Sequence, residues 1–64
     1  MKELMTIEEV SQFVEQMDVE FGDLVRSGEM NDPLEECKAH EYGSGLYYRI
    51  EVERVFTWLI ESRK

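Results

Sequence analysis

Met5-Thr6-Ile7-Glu8-Glu9-Val10-Ser11 combines three separate signals for the start of a helix. Thr6 is placed to accept a hydrogen bond from an unpaired backbone amide of the first turn. Glu9, three residues later, can return the bond and complete a capping box, and Met5 can staple onto Val10. A helix is therefore expected from Ile7. Ile7, Val10, Val14 and Met17 then recur at helical spacing with Phe13 beside them, which predicts a core-facing stripe opposite Glu8, Gln12 and Glu15.

Asp18 is a second capping residue, and Phe21, Leu24 and Val25 continue the helical spacing over Val19 to Arg26, until Ser27-Gly28 stops it. Gly22 lies inside this short helix at a cost of about 1 kcal/mol relative to alanine, either as a tolerated weak spot or as a point of close backbone approach. Residues 29–36 contain Asn31-Asp32-Pro33 and read as a loop or turn, with Leu34-Glu35-Glu36 able to add one helical turn.

Gly43-Ser44-Gly45 precedes the β-favouring run Leu46-Tyr47-Tyr48-Arg49-Ile50 and signals a hairpin. Alternation along that run places Leu46, Tyr48 and Ile50 on the core face and leaves Tyr47 and Arg49 outward. Helical spacing resumes in Val52, Val55, Phe56, Leu59 and Ile60, with Trp58 alongside and Arg63-Lys64 at the negative end of the helix dipole. The expected fold class is α+β, one domain over residues 1–64, in the order helix, helix, β-hairpin, helix.

Met5 to Ser11 resembles the opening of excisionase-like and MerR-type winged helix-turn-helix domains. Leu24-Val25-Arg26-Ser27-Gly28-Glu29-Met30 is similar to that family's end of helix two, where a glycine releases the chain into the wing. Tyr48-Arg49-Ile50, followed by Val55 and Trp58-Leu59, resembles the second wing strand and closing helix. The resemblance covers most of the chain except residues 31–42, where extra residues precede the hairpin turn. It implies a DNA-reading second helix, but the matching positions are Asp18, Val19, Glu20, Gly22 and Asp23, none of them basic. Phosphate neutralisation supplies most non-specific DNA affinity, so three carboxylates there would repel the duplex. The turn ahead of this helix reads Glu15-Gln16-Met17 and lacks the family's glycine.

The formal net charge is -8 over 64 residues. Residues 1–36 hold eleven acids against Lys2 and Arg26, whereas residues 37–64 hold four acids against five bases. A chain this short buries only about 60% of its unfolded surface, too little to wall an active-site cleft with loops, and an enzyme is not expected. Cys37 is the single cysteine and has only His40 near it, so neither an internal disulfide nor a four-ligand zinc site is available. No cofactor is expected. No apolar run approaches the roughly 20 residues that span a bilayer, and no secretory leader is recognisable; a cytoplasmic location without membrane attachment is the expectation.

Two functional readings follow. In the first, a small acidic regulatory protein engages a basic protein surface, with Asp18, Glu20, Asp23 and the outward Tyr47 as contacts. A nucleic-acid-handling partner would make it an inhibitor or nucleic-acid mimic of the kind found on phages and mobile elements. In the second, an excisionase-like regulator keeps DNA binding through Arg26, Lys38, His40, Tyr47 and Arg49 on the less acidic half, as a dimer or with a cooperating protein. Arg49 has a structural alternative, pairing with a helix carboxylate. Tyr42, Tyr47 and Tyr48 form a further candidate aromatic patch, with Tyr48 expected in the core.

Overall fold

A computed structural model describes residues 3–43 and 45–63. Ser44 of the hairpin turn, Lys2 and the terminal Lys64 lie outside the described residues. A short strand, β1 (Leu4–Thr6), runs straight into helix α1 (Ile7–Met17). The capping box forms as expected: the Glu9 amide donates to Thr6 Oγ1 at 3.3 Å, and the Thr6 amide donates to Glu9 Oε1 at 3.0 Å. Met5 and Val10 flank this start, and both are buried in the core. Ile7, expected in the buried stripe, is instead 41% exposed. It is the first helical residue, and helical Cβ atoms tilt toward the N-terminus, so its side chain points back past the edge of the core.

Asp18 alone joins α1 to α2 (Val19–Ser27), and Glu15-Gln16-Met17 is the last turn of α1. The Asp18 backbone is extended. Its amide closes α1 on the Val14 carbonyl at 2.8 Å, while its carboxylate opens α2 by accepting from the Phe21 amide at 3.2 Å. So sharp a corner brings the two helices together at Gly22. A Cβ there would lie 2.7 Å from Glu15 Cβ and 2.8 Å from Glu15 Cα, so the glycine marks close backbone approach. Gly28 ends α2 in the left-handed conformation, φ 85°, as a cap of this kind requires.

The stretch expected as a loop contains a helical turn, α3 (Asn31–Glu35). Pro33 sits in its first turn, where an amide has no intrahelical acceptor and the missing N–H costs nothing. Leu34, 2% exposed, anchors the turn to the core.

Strand β2 (Leu46–Tyr48) pairs antiparallel with β1 in the register Leu4–Tyr48, Met5–Tyr47, Thr6–Leu46. On its other edge it meets residues 37–39: the Ala39 amide donates to the Leu46 carbonyl and the Tyr48 amide to the Cys37 carbonyl, both at 2.9 Å. The expected hairpin is thus reduced to a bridge at Lys38 and a connection containing a 3-10 turn at His40–Tyr42.

The facing of β2 is the reverse of the expectation. Tyr47, expected outward, is 8% exposed, whereas Leu46 and Tyr48 are half-buried. Opposed residues of an antiparallel pair share a face, so pairing with buried Met5 carries Tyr47 inward. Ile50 is not in a strand at all. It lies in the first turn of α4 (Arg49–Arg63), 62% exposed, and the alternation extended to it was never formed.

Inward on α4 are Val52, Val55 and Phe56, which meet Val14, Val25 and Leu34 in the same core cluster. The described residues form an α+β fold of four α-helices and one two-stranded antiparallel sheet.

Candidate functional site

The acids expected to meet a partner are already engaged within the fold. Asp18 is spent as the cap of α2. Glu20 pairs with Arg63, which reaches back from the end of α4 and also lies over the Phe21 ring, 5.4 Å from its centroid. Asp23 accepts from Arg26 at 3.3 Å, and the same guanidinium pairs with Glu15 on α1. Glu20 and Asp23 stay exposed, so their charge is locally balanced but not hidden.

The basic residues of the DNA-binding reading are engaged too. Lys38 donates to Glu35 at 2.9 Å; this bond and the opposed charges raise the Lys38 pKa and lower that of Glu35. Arg49 lies 5.2 Å from the Phe13 centroid, with Glu3 at 3.7 Å and Glu53 at 3.9 Å. Arg49 is thus positioned as in its structural alternative, beside the helix carboxylate of Glu53, with further contacts to Glu3 just ahead of β1 and to Phe13 of α1. His40 is exposed in the 3-10 turn. Tyr47 is buried and presents no surface to either partner. Tyr42, 60% exposed, meets half-buried Tyr48 edge-on at 6.4 Å between centroids.

A different surface emerges between α3 and α4. A groove of about 570 Å³ has Pro33, Val55, Trp58 and Leu59 along its apolar floor and Asp32, Glu36 and Arg54 at its rim. On the far side of Trp58 a shallower depression, about 400 Å³, runs past Ile50 and Thr57 to Glu53 and Glu61. Trp58 is the ridge between the two, 66% exposed. Its exposure follows from the helical period. Val52, Val55, Phe56, Leu59 and Ile60 occupy one side of α4, and Ile50, Arg54, Trp58 and Glu61, at i, i+4, i+8 and i+11, occupy the other. Of that outward set Arg54, Trp58 and Glu61 are out of phase with the core stripe in the sequence, whereas Ile50 reads there as part of the core face of a strand.

Charge at this groove is not balanced as it is on α2. Arg54 is tied to Glu51, and the bond with that carboxylate, followed by its charge and that of Glu36, raises the Arg54 pKa. Among the described residues, Asp32, Glu36 and Glu61 make no ion pair with a lysine or arginine. An exposed indole thus stands beside carboxylates that, among the described residues, form no ion pair with a lysine or arginine, Glu36 acting on Arg54 only through its charge.

Cys37 is fully buried, and its thiol donates weakly to the Pro33 carbonyl at 3.6 Å. Burial, then the nearby charges of Glu51 and Glu36, push its pKa up to about 11, which keeps it protonated and unreactive at neutral pH. Among the described residues no group of three or more His, Cys, Asp or Glu is placed to hold a metal ion. No described helix is long and apolar enough to cross a membrane. In comparisons with known proteins, the chain matches no family model, no curated protein and no solved structure.

Proposed function

We propose that this is a small, non-enzymatic regulatory protein of winged-helix type that acts by binding a basic protein surface. The observation that carries this reading is the acid surplus left after internal pairing. Arg26, Lys38, Arg49, Arg54 and Arg63 each face a carboxylate of the same chain, and the formal charge is still -8. Complementary charge of this size speeds and orients association with a cationic partner and repels nucleic acid. A partner that handles nucleic acid would lose access to its own ligand, making the protein an inhibitor or nucleic-acid mimic.

Support for the winged-helix type comes from the order of elements, a glycine-capped α2 and a reduced hairpin leading into the last helix. Its departures are the one-residue corner at Asp18, where a helix-turn-helix uses three or four residues, and the inserted α3. Glu20 and Asp23 remain available to a partner, because exposed pairs such as theirs are worth only about 0–1 kcal/mol and exchange readily.

Anisotropy titrations at low salt with a labelled mixed-sequence DNA duplex and a labelled lysine-rich peptide test the reading. The peptide should bind and the duplex should not. Salt-sensitive micromolar binding to the duplex would refute it and return attention to Arg26, Lys38, His40 and Arg49.

A further inference from the structure

We propose that the groove between α3 and α4, together with the adjoining depression across Trp58, is the docking site, and that it receives a cationic amphipathic helix of the partner protein. One apolar side chain of that helix packs on Pro33, Trp58 and Leu59, and its lysines and arginines meet Asp32, Glu36 and Glu61. This rests on the reading of a basic protein partner and names the surface it uses.

Three observations choose the occupant. Ile50 to Glu61 covers twelve residues of α4, eleven steps or roughly 17 Å at about 1.5 Å per step, which matches about three turns of a helix laid alongside. The apolar contribution is concentrated in one large indole and its flanking depressions, the form of an anchor site. The rim selects charge. Carboxylates without a paired cation would face one another if a second copy of this chain docked face to face on the groove, and they would repel a phosphate backbone or an anionic lipid surface. Inside the fold, Arg49 and Arg63 already lie over aromatic rings beside carboxylates, and Trp58 offers an incoming arginine that same environment.

Trp58 is the sole tryptophan, so its fluorescence reports on this site alone. The probes are a Leu/Lys peptide with leucines at helical spacing, a Leu/Glu peptide of the same spacing, and a scrambled Leu/Lys peptide of identical composition. Binding of the first should move Trp58 emission to shorter wavelength and shield it from acrylamide. The Leu/Glu peptide should do neither, and the scrambled peptide should bind about tenfold more weakly. Trp58→Ser, and separately the double change Glu36→Lys with Glu61→Lys, should each weaken binding of the labelled Leu/Lys peptide by about tenfold or more. All three positions are exposed, and unchanged circular dichroism checks the fold. If the Leu/Lys peptide binds while Trp58 emission is unmoved and Trp58→Ser binds as well as the parent, the groove is refuted and a basic partner remains for another face. If both peptide charges bind equally and shift Trp58, the groove is real and the cationic partner is refuted. Failure of every basic peptide to bind at low salt overturns both.

Discussion

Replacing Gly22 with alanine should destabilise the protein, although alanine is the better helix former. Helix propensity alone favours the change by about 1 kcal/mol. Against that, the new methyl group would lie 2.7 Å from Glu15 Cβ and 2.8 Å from Glu15 Cα, where ordinary contact begins at 3.4 Å. The obstacle is the body of α1, not the tip of a flexible side chain. Relief requires α2 to retreat by more than half an ångström about a corner made of one residue, which also caps both helices. Overpacking costs about 1–3 kcal/mol, and a backbone obstacle places this case at the upper end, leaving a net loss of about 2 kcal/mol. A domain of 64 residues holds roughly 3–10 kcal/mol in total, and each kilocalorie moves the midpoint by roughly 4–8 °C, so Tm should fall by about 8–16 °C. Thermal and urea unfolding followed by circular dichroism measure this directly. Gln12→Ala, on the exposed face of α1, serves as a control expected within about 0.5 kcal/mol of the parent. A Gly22→Ala protein as stable as the parent, or more so, would refute the close approach of the two helices.

Thr6→Ala removes one half of the capping box and should cost about 1 kcal/mol in urea unfolding. Tyr47→Ala should cost about 3–5 kcal/mol, enough to unfold much of the population, whereas Trp58→Ala should change stability by no more than about 0.5 kcal/mol; the opposite ranking would restore Tyr47 as the exposed residue. Cys37 should resist thiol reagents at pH 8 until the protein is unfolded. Its folded pKa of about 11 lies above the ordinary 9.0, so its contribution is whole below pH 9 and is lost as pH rises through 11. Relative to Cys37→Ala, the parent should therefore lose roughly 2–3 kcal/mol across that window, and parallel stability profiles would count against the shift. A double-mutant cycle on Glu20 and Arg63, both exposed, should return a coupling of about 0.2–1 kcal/mol.

The helical part of the fold was legible because its signals are local. Thr6, Glu9 and Asp18 act through bonds to residues three positions away, and Gly28 through its own backbone angle, so the sequence within a few residues contains the whole cause. β2 was misread because its facing is settled elsewhere. Nothing between Leu46 and Ile50 states that Tyr47 lies opposite Met5, forty-two positions earlier, and the apparent alternation ran into a helix that had already begun at Arg49. For Gly22 the sequence leaves two readings open, a weak spot and a close backbone approach. Only the position of Glu15 across the corner chooses between them.

The charge pattern changes most on folding. Along the chain the acids crowd into the first 36 residues, which points to an acidic face on α1 and α2 with its contacts at Asp18, Glu20 and Asp23. In space, Arg63 from the far end of the chain covers Glu20, and Arg26 bridges Glu15 and Asp23, so α2 carries much of its own neutralisation. Asp32 and Glu36 come from the acid-rich half and Glu61 from the mildly basic one, yet the fold brings them to the two sides of Trp58, where among the described residues the nearby cation is Arg54, hydrogen-bonded to Glu51. A count by segment registers formal charge, whereas a partner meets the charge that remains after internal pairing. By that measure Glu8, Glu29 and Glu41 are as open as Asp32, Glu36 and Glu61 among the described residues, and what sets the second group apart is the exposed indole of Trp58 between them, which is why the proposed docking site is placed there.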